Sequence, residues 1–359
     1  MKTIGFVLPD LRGGGAERVF STLVNHLNDH GTDVILILGE KKGPLLHSIN
    51  DSIKVLELGK KGISSLFRLR KVVLEHKVDV IIGTLSMAYV VALSRFVLPR
   101  TCLLISRLGN TISEDLKNHK GIKSFIQKIY QFSLFFSDRI IVQSEYMQRD
   151  LYNILKFKKI KQSTHLIYNP INIDKVYFQS LNYEINPINS IQNCDVISVG
   201  RLESQKDHET TILAFSRYNS IHPSAKLHIL GDGSLRLALE SLVNELSLQN
   251  NVVFHGHVIN PYPYIARSKM LVMSSLYEGF SNVILEALCL NIPVVVSNCP
   301  GGNSEIVVDY KNGFLFKTGS SEDMLAKMLL LDEHQLSGFN VSQYDVNSIA
   351  QRYLDLSNA

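Results

Sequence analysis

Cysteine, net charge and long apolar runs are all scarce in this chain. Its four cysteines, Cys102, Cys194, Cys289 and Cys299, show no Cys-x-x-Cys spacing and lie in or beside apolar runs. That excludes a zinc framework or a disulfide scaffold and fits a reducing compartment. The formal net charge of +4 and the pI near 8.7 are too mild for nucleic acid, so only local basic clusters remain as markers of a membrane surface or a phosphorylated ligand. The opening MKTIGFVLPD reaches a loop within ten residues, too short for a signal peptide. The uncharged stretch Val80 to Ser94 falls below a membrane span, and no segment is expected to cross a bilayer.

What is present is globular. With 45% hydrophobic and 19% charged residues, 359 residues can bury two cores of ordinary domain size. Apolar strand-like runs (Ile4 to Leu8, Val34 to Leu38, Ile53 to Leu58, Val78 to Ile82, Cys102 to Ile105, Ile140 to Val142) alternate with helical patterns, as in a parallel sheet covered by helices. Two Asn-Pro pairs and weak periodicity make Ile167 to Asn193 read as a linker. A second series then runs Val196 to Val199, Leu227 to Leu230, Val252 to Phe254, Met270 to Met273, Val294 to Val296 and Gly313 to Phe316. The expected fold is α/β, two doubly wound Rossmann-like domains facing a central cleft. The boundaries are 1–169 for the first domain, 170–193 for the linker, 194–340 for the second domain, and 341–359 for a terminal helix crossing back to the first.

In such folds ligands sit at the carboxyl ends of the strands. After the first strand, Gly13, Gly14 and Gly15 precede a helix, allowing close backbone approach and an anion at the helix terminus. The spacing is not Gly-x-Gly-x-x-Gly, and a ligand-free turn fits equally. The second domain opens with Arg201 and Lys206 ahead of a helix capped near Asp207. Two cations there suit a diphosphate, although most such pairs are simply solvated. Gly231 and Gly233 flank Asp232 in a turn that either lines a nucleotide pocket or does nothing special. The loop Gly256 to Asn260, with Val258 at its centre, offers backbone groups to a base edge. His255 and His257 share a strand face without a third ligand at metal spacing, so a structural role is preferred.

The stretch EGFSNVILEALCLNIPVVVS carries the sharpest signal. Glu278 falls in a loop, Ser281 or Asn282 caps a helix, and Glu286 lies about one turn in. Amides at Phe280, Ser281, Asn282 and Val283 suit a diphosphate. A carboxylate matches the vicinal hydroxyls of a ribose at Glu286 and those of a sugar at Glu278. The plainer alternative is that both are helix-N-terminal acids favoured by the macrodipole.

Taken in order, GGGAERV, GRLESQKDH, ILGDGSLR, VVFHGHV and EGFSNVILEALCLNIPVV resemble the glycosyltransferase family 4 retaining enzymes of the GT-B fold, with their E-x7-E motif, over nearly the whole chain. The resemblance implies that Arg201 and Lys206 hold the donor diphosphate, Glu286 the ribose and Glu278 the transferred sugar, with Gly14 and Gly15 near the phosphates and acceptor. Many members carry a histidine after the fifth strand of the first domain. Here Leu108, Gly109 and Asn110 stand in that place, leaving the role to Arg107 or Asn110. No Asp-x-Asp occurs, which removes the metal clamp of the other large glycosyltransferase fold. No metal or cofactor is expected.

The implied reaction moves a hexose or N-acetylhexosamine, with retention, from a nucleotide-diphosphate sugar, UDP favoured, to a lipid-linked glycan of O-antigen, capsule or related polysaccharide assembly. The rivals are a nucleotide-sugar epimerase of the same architecture, a binding protein and a NAD-dependent oxidoreductase. A further expectation concerns KNHKGIKSFIQKIYQFSLFF, where Ile122, Phe125, Ile126, Ile129, Phe132 and Phe136 repeat at helical spacing beside Lys117, Lys120, Lys123 and Lys128. It reads either as a core helix or as a basic amphipathic helix resting on an anionic membrane, widened by Lys60, Lys61, Arg68, Arg70 and Lys71. The protein is therefore expected in the cytoplasm, peripheral on the inner face of the cell membrane.

Overall fold

The computed structural model describes residues 2–60, 62–117, 122–181 and 195–358, with side chains omitted for 122–126. Lys61, Lys120, Cys194 and half of the expected linker, residues 182–193, together with the side chains of Ile122, Lys123, Phe125 and Ile126, lie outside the described residues. The chain divides into two compact units, Met1–Pro170 with Tyr344–Ala359, and Ile171–Gln343.

The first unit holds a seven-stranded parallel sheet: β1 (Ile4–Leu8), β2 (Val34–Leu38), β3 (Lys54–Glu57), β4 (Val80–Thr84), β5 (Leu103–Arg107), β6 (Arg139–Val142) and β7 (Thr164–Leu166). Its order is β3-β2-β1-β4-β5-β6-β7. β1 is buried along its whole length, as a strand must be when helices cover both faces, which is why it reads as an unbroken apolar run. Alternate residues feed opposite cores. Phe6, Leu36 and Ile82 pack with the helix Gly15–Asp29 on one side, while Val7, Ile37 and Ile81 meet Met87 and Val91 on the other. The helix Val346–Asn358 packs against Gly15–Asp29 and puts Ile349 and Tyr353 into the first of these cores.

The second unit repeats the plan with β8 (Val196–Val199), β9 (Leu227–Leu230), β10 (Val252–Gly256), β11 (Met270–Met273), β12 (Val294–Ser297) and β13 (Gly313–Phe316), in the order β10-β9-β8-β11-β12-β13. Phe215, Leu227, Val272 and Phe314 lie in its core. In both sheets the order reverses beside the first strand, between β1 and β4 and between β8 and β11. Loops there diverge to opposite faces and leave a crevice at the carboxyl ends.

Two expectations need correction. β7 has no counterpart among the expected strands, and the stretch read as a linker contains the helix Ile173–Ser180, capped by Asn172 Oδ1 accepting from Lys175 N at 2.9 Å. Among the described residues no helix is long and apolar enough to cross a membrane.

Candidate active site

The reversal point of the second sheet is where the chemistry gathers. The loop after β8 and the loop after β11 are laced together: Leu276 N donates to Gln205 O at 2.8 Å and Gln205 Nε2 to Tyr277 O at 2.9 Å. Asp207 turns the chain in the left-handed region, at φ 46° and ψ 47°, and caps the helix His208–Ile221 through Thr210. Ser274 Oγ donates to the Asp207 carbonyl at 2.6 Å, fixing the turn from the β11 side.

This lacing places Lys206 against Glu278. The two form an ion pair, and Ser275 Oγ donates to the same carboxylate oxygen at 2.7 Å. Glu278 is only 7% exposed, so the pair is largely out of water, where removing one charge strands the other. From the β12 side, Glu278 N donates to Pro300 O at 2.9 Å and Gly302 N to Gly279 O at 3.0 Å. Gly301 sits between them at φ +139°, and a Cβ there would stand 2.1 Å from the Glu278 carbonyl oxygen.

Electrostatics of neighbouring groups follow from this burial. The Cys299 thiol is pushed up to about 12, chiefly by burial and then by the charge of Glu278. His208 is pulled down to about 4, chiefly by burial and then by Lys206. Because its folded pKa lies below the ordinary value of 6.5, the unfolded chain binds the extra proton first. Stability is therefore full above about pH 6.5 and falls as pH drops towards 4, by roughly 3 kcal/mol for this one group. Urea unfolding at pH 7 and pH 5 should show a drop in the midpoint that is smaller in His208→Gln. An identical drop in both would contradict it.

Glu286 lies on the buried side of the helix Asn282–Cys289, 9% exposed, within 3.4 Å of Tyr262 Oη. Tyr262 follows the loop that contains Val258, so the acid and this loop are neighbours through the tyrosine. Phe280 and Ser281 are buried, Asn282 and Val283 half-buried. Ser281 occupies the N-cap position, but its hydroxyl points to Met273 Sδ at 3.5 Å and does not cap. Gly231, at φ +146°, lets the turn after β9 touch the loop after β8, where a Cβ would stand 1.8 Å from the Gly200 carbonyl oxygen. Arg201 is exposed. Its charge acts on Glu203, whose carboxylate is held below its ordinary pKa chiefly by Ser234 N and Oγ, at 3.0 and 2.8 Å.

In the first unit Gly14 and Gly15 begin the helix Gly15–Asp29, and half-buried Asn110 lies in the loop after β5. Arg107 corrects the expectation of a sugar contact. It is 1% exposed, with Nη1 donating to Thr84 Oγ1 at 3.0 Å and Nη2 to Asn169 Oδ1 at 2.6 Å, its guanidinium 5.6 Å from the Phe20 ring. It ties β4, β5 and the chain after β7 together. His255 likewise has a structural partner: His228 lies 2.9 Å from it and 3.1 Å from Asp195. Among the described residues no three His, Cys, Asp or Glu side chains converge as a metal site. Ser275 and Tyr262 were missed, since a single hydroxyl after a strand has no spacing to give it away.

Two doubly wound units in tandem are the plan of the GT-B fold. The HepE protein of Anabaena, solved in complex with UDP and glucose, matches the fold with a TM-score of 0.81 at 19% identity, over 100% of both chains. The chain belongs to glycosyltransferase family 4: the Glycosyltransferase Family 4 model matches residues 13–175 and the model of Glycosyl transferases group 1 matches 186–344. An uncharacterized glycosyltransferase of Methanocaldococcus jannaschii is 31% identical over 350 residues, covering 89% of this chain and 82% of that one. The N-acetylgalactosamine-N,N'-diacetylbacillosaminyl-diphospho-undecaprenol 4-alpha-N-acetylgalactosaminyltransferase of Campylobacter jejuni is 27% identical over 349 residues, covering 93% and 91%.

Proposed function

We propose that the protein is a retaining, metal-independent hexosyltransferase. It moves a hexose or N-acetylhexosamine from a UDP-sugar to a hydroxyl of a lipid-linked glycan, in O-antigen, capsule or related polysaccharide assembly, at the inner face of the cell membrane. The observation that carries the reading is the ion pair of half-buried Lys206 with buried Glu278 at the reversal point of the second sheet. The Campylobacter relative, named for a diphospho-undecaprenol-linked acceptor, supports the acceptor class, and the fold neighbour bound to UDP and glucose supports the donor.

The pair explains how one site handles both halves of a nucleotide sugar. Without donor, each charge satisfies the other. When the donor enters, Lys206 exchanges its carboxylate for the diphosphate and Glu278 exchanges its ammonium for the sugar hydroxyls, so neither is left unpaired. Arg201, exposed on the same loop, closes on the phosphates as a second cation. The acceptor hydroxyl attacks C1 from the face that the diphosphate leaves. The bond from C1 to the phosphate oxygen breaks, and the departing phosphate takes the hydroxyl proton. Lys206 and Arg201 stabilise the charge that builds on the leaving group, and Glu278 stabilises positive charge near C1.

Glu286 holds the ribose beside Tyr262. Glu286→Ala is expected to weaken UDP by roughly 1 to 3 kcal/mol, the scale of a lost pair of charge-assisted hydrogen bonds. Calorimetry with UDP and GDP checks both the residue and the base. Equal affinity of wild type and variant for UDP would remove Glu286 from the site. Family membership sets aside the oxidoreductase and binding-protein alternatives. An epimerase is separated by its indifference to acceptor.

A further inference from the structure

The amino ends of the first sheet carry a surface that sugar transfer does not use. Phe96 precedes β5, Phe132, Phe135 and Phe136 precede β6, and Phe157 comes ahead of β7. Their rings form one cluster: Phe96 meets Phe136 with centroids 4.7 Å apart, Phe132 meets Phe157 at 5.8 Å, and Phe135 meets Phe157 at 5.5 Å. Ring contacts of this kind usually build a core. Here Phe96 is 67% exposed, Phe132 47% and Phe157 43%, with Ile129 one turn before Phe132 at 52%. An apolar patch of this size in water marks an interaction surface.

Charge decides what covers it. The three segments that supply the rings, 80–113, 116–137 and 151–173, contain no aspartate or glutamate. Lys128, Lys156, Lys158 and Lys159 on them are exposed. Lys159 Nζ donates to the Phe135 carbonyl at 2.6 Å, and Arg70 Nε reaches in from a neighbouring helix to the Val97 carbonyl at 2.9 Å. For a chain with a formal net charge of +4, this is a strong local concentration.

A cavity of about 420 Å³ is lined by Lys2, Arg100, Thr101, Asp138 and Arg139, among others. Its carboxylate is already engaged, since Asp138 pairs with Arg95 and accepts from Leu104 N at 2.8 Å. Lys2, Arg100 and Arg139 therefore give the cavity a positive lining, and Arg139 Nε is buried without a hydrogen-bond partner among the described residues. Arg95 joins the two features, because Phe96 follows it in the chain while its guanidinium holds Asp138.

We infer that this face docks the protein on an anionic lipid bilayer, with the phenylalanines in the headgroup region and the cavity on the phosphate of an anionic lipid. Exposed aromatics and a basic rim supply the two signals that stable surface binding requires. A second copy is a poor occupant, because a two-fold interface would set the same lysines against each other. β5 runs five residues away from this face before Arg107, roughly 16 Å at about 3.3 Å per residue. The carboxyl-end loops thus stand off the lipid, and the acceptor glycan must extend to reach them. This deepens the lipid-linked acceptor reading and rests on it for its purpose, but the binding itself can be scored without that reading.

The test floats the full-length protein with phosphatidylcholine vesicles that contain or lack phosphatidylglycerol, with no acceptor present. Wild type is expected to float only with the anionic vesicles and to be released as salt rises. Phe96→Ser with Phe157→Ser, and separately Lys156→Glu with Lys158→Glu, should each lower the partition coefficient at least roughly tenfold. Far-UV circular dichroism and the rate with a water-soluble acceptor sugar should not change. Arg100→Glu should reduce the preference for phosphatidylglycerol in the same assay. Wild type that fails to float at low salt, or variants that float as wild type does, would overturn the inference. So would a phenylalanine variant that turns a dimer into a monomer in light scattering while still binding vesicles. Loss of turnover on the soluble acceptor in every form, with vesicle binding intact, would instead refute the proposed function and leave the docking face standing.

Discussion

Replacing Glu278 with glutamine is expected to lower the rate of sugar transfer by roughly 10²- to 10³-fold while UDP binds at least as tightly as in wild type. The carboxylate faces Lys206 and Ser275, and in the proposed reaction it turns to the sugar. The amide keeps a hydrogen-bonding oxygen for Ser275 but cannot balance positive charge near C1. Freed from its partner, Lys206 has more charge to offer a diphosphate, so UDP affinity should hold or rise. Steady-state rates and UDP calorimetry on the same preparation separate the two effects. Wild-type turnover would remove Glu278 from the chemistry. Joint loss of turnover and UDP binding would make it a structural residue of the loop.

The second large effect is on folding. Gly231→Ala and Gly301→Ala would each drive a Cβ into a carbonyl oxygen of an adjoining loop, at 1.8 Å from Gly200 and 2.1 Å from Glu278. Neither backbone can yield without moving the strand end beneath it. Each change is expected to cost upward of about 3 kcal/mol, with Gly301→Ala also displacing Glu278 and lowering the rate in whatever fraction folds. Gly319 provides the control: it has φ +76°, but a Cβ added there would meet nothing within 4 Å. Gly319→Ala should therefore show only the backbone term, about 1 to 2 kcal/mol. Equal urea midpoints for all three variants would mean that the close approach of the loops is not a constraint.

Much of the fold was legible because parallel strands covered on both faces read as unbroken apolar runs. Ile4–Leu8, Val34–Leu38 and Val80–Thr84 are buried throughout. β7 was not, since Thr164, His165 and Leu166 form a short strand at the sheet edge with little apolar signal. The helix Ile173–Ser180 was hidden for a similar reason, as only Val176 and Ser180 are buried in it.

Within the candidate site, Lys206, Glu278 and Glu286 stood out by following strands in a doubly wound pattern. That they would interlock through Ser275 and Tyr262 depended on loops brought together from distant parts of the chain. Arg107 shows the converse. A strand-end arginine reads the same whether it holds a ligand or a neighbour, and its burial depends on Asn169 and the terminal helix, far away in sequence. The phenylalanine cluster was visible only in part, because Phe96 and Phe157 come from other segments than the helix whose periodicity drew attention.

The reaction proposed for this site is transfer of a sugar from UDP to a lipid-linked saccharide without a metal. Mass spectrometry of an undecaprenyl-diphosphate-linked saccharide, incubated with a panel of UDP-hexoses and UDP-N-acetylhexosamines in excess chelator, tests it most directly. One donor is expected to add a single sugar mass to the acceptor, NMR of the product should show the donor's anomeric configuration, and Glu278→Gln should remove the gain. Consumption of a UDP-sugar with no mass added to the acceptor, or a gain that requires added magnesium or manganese, would contradict it.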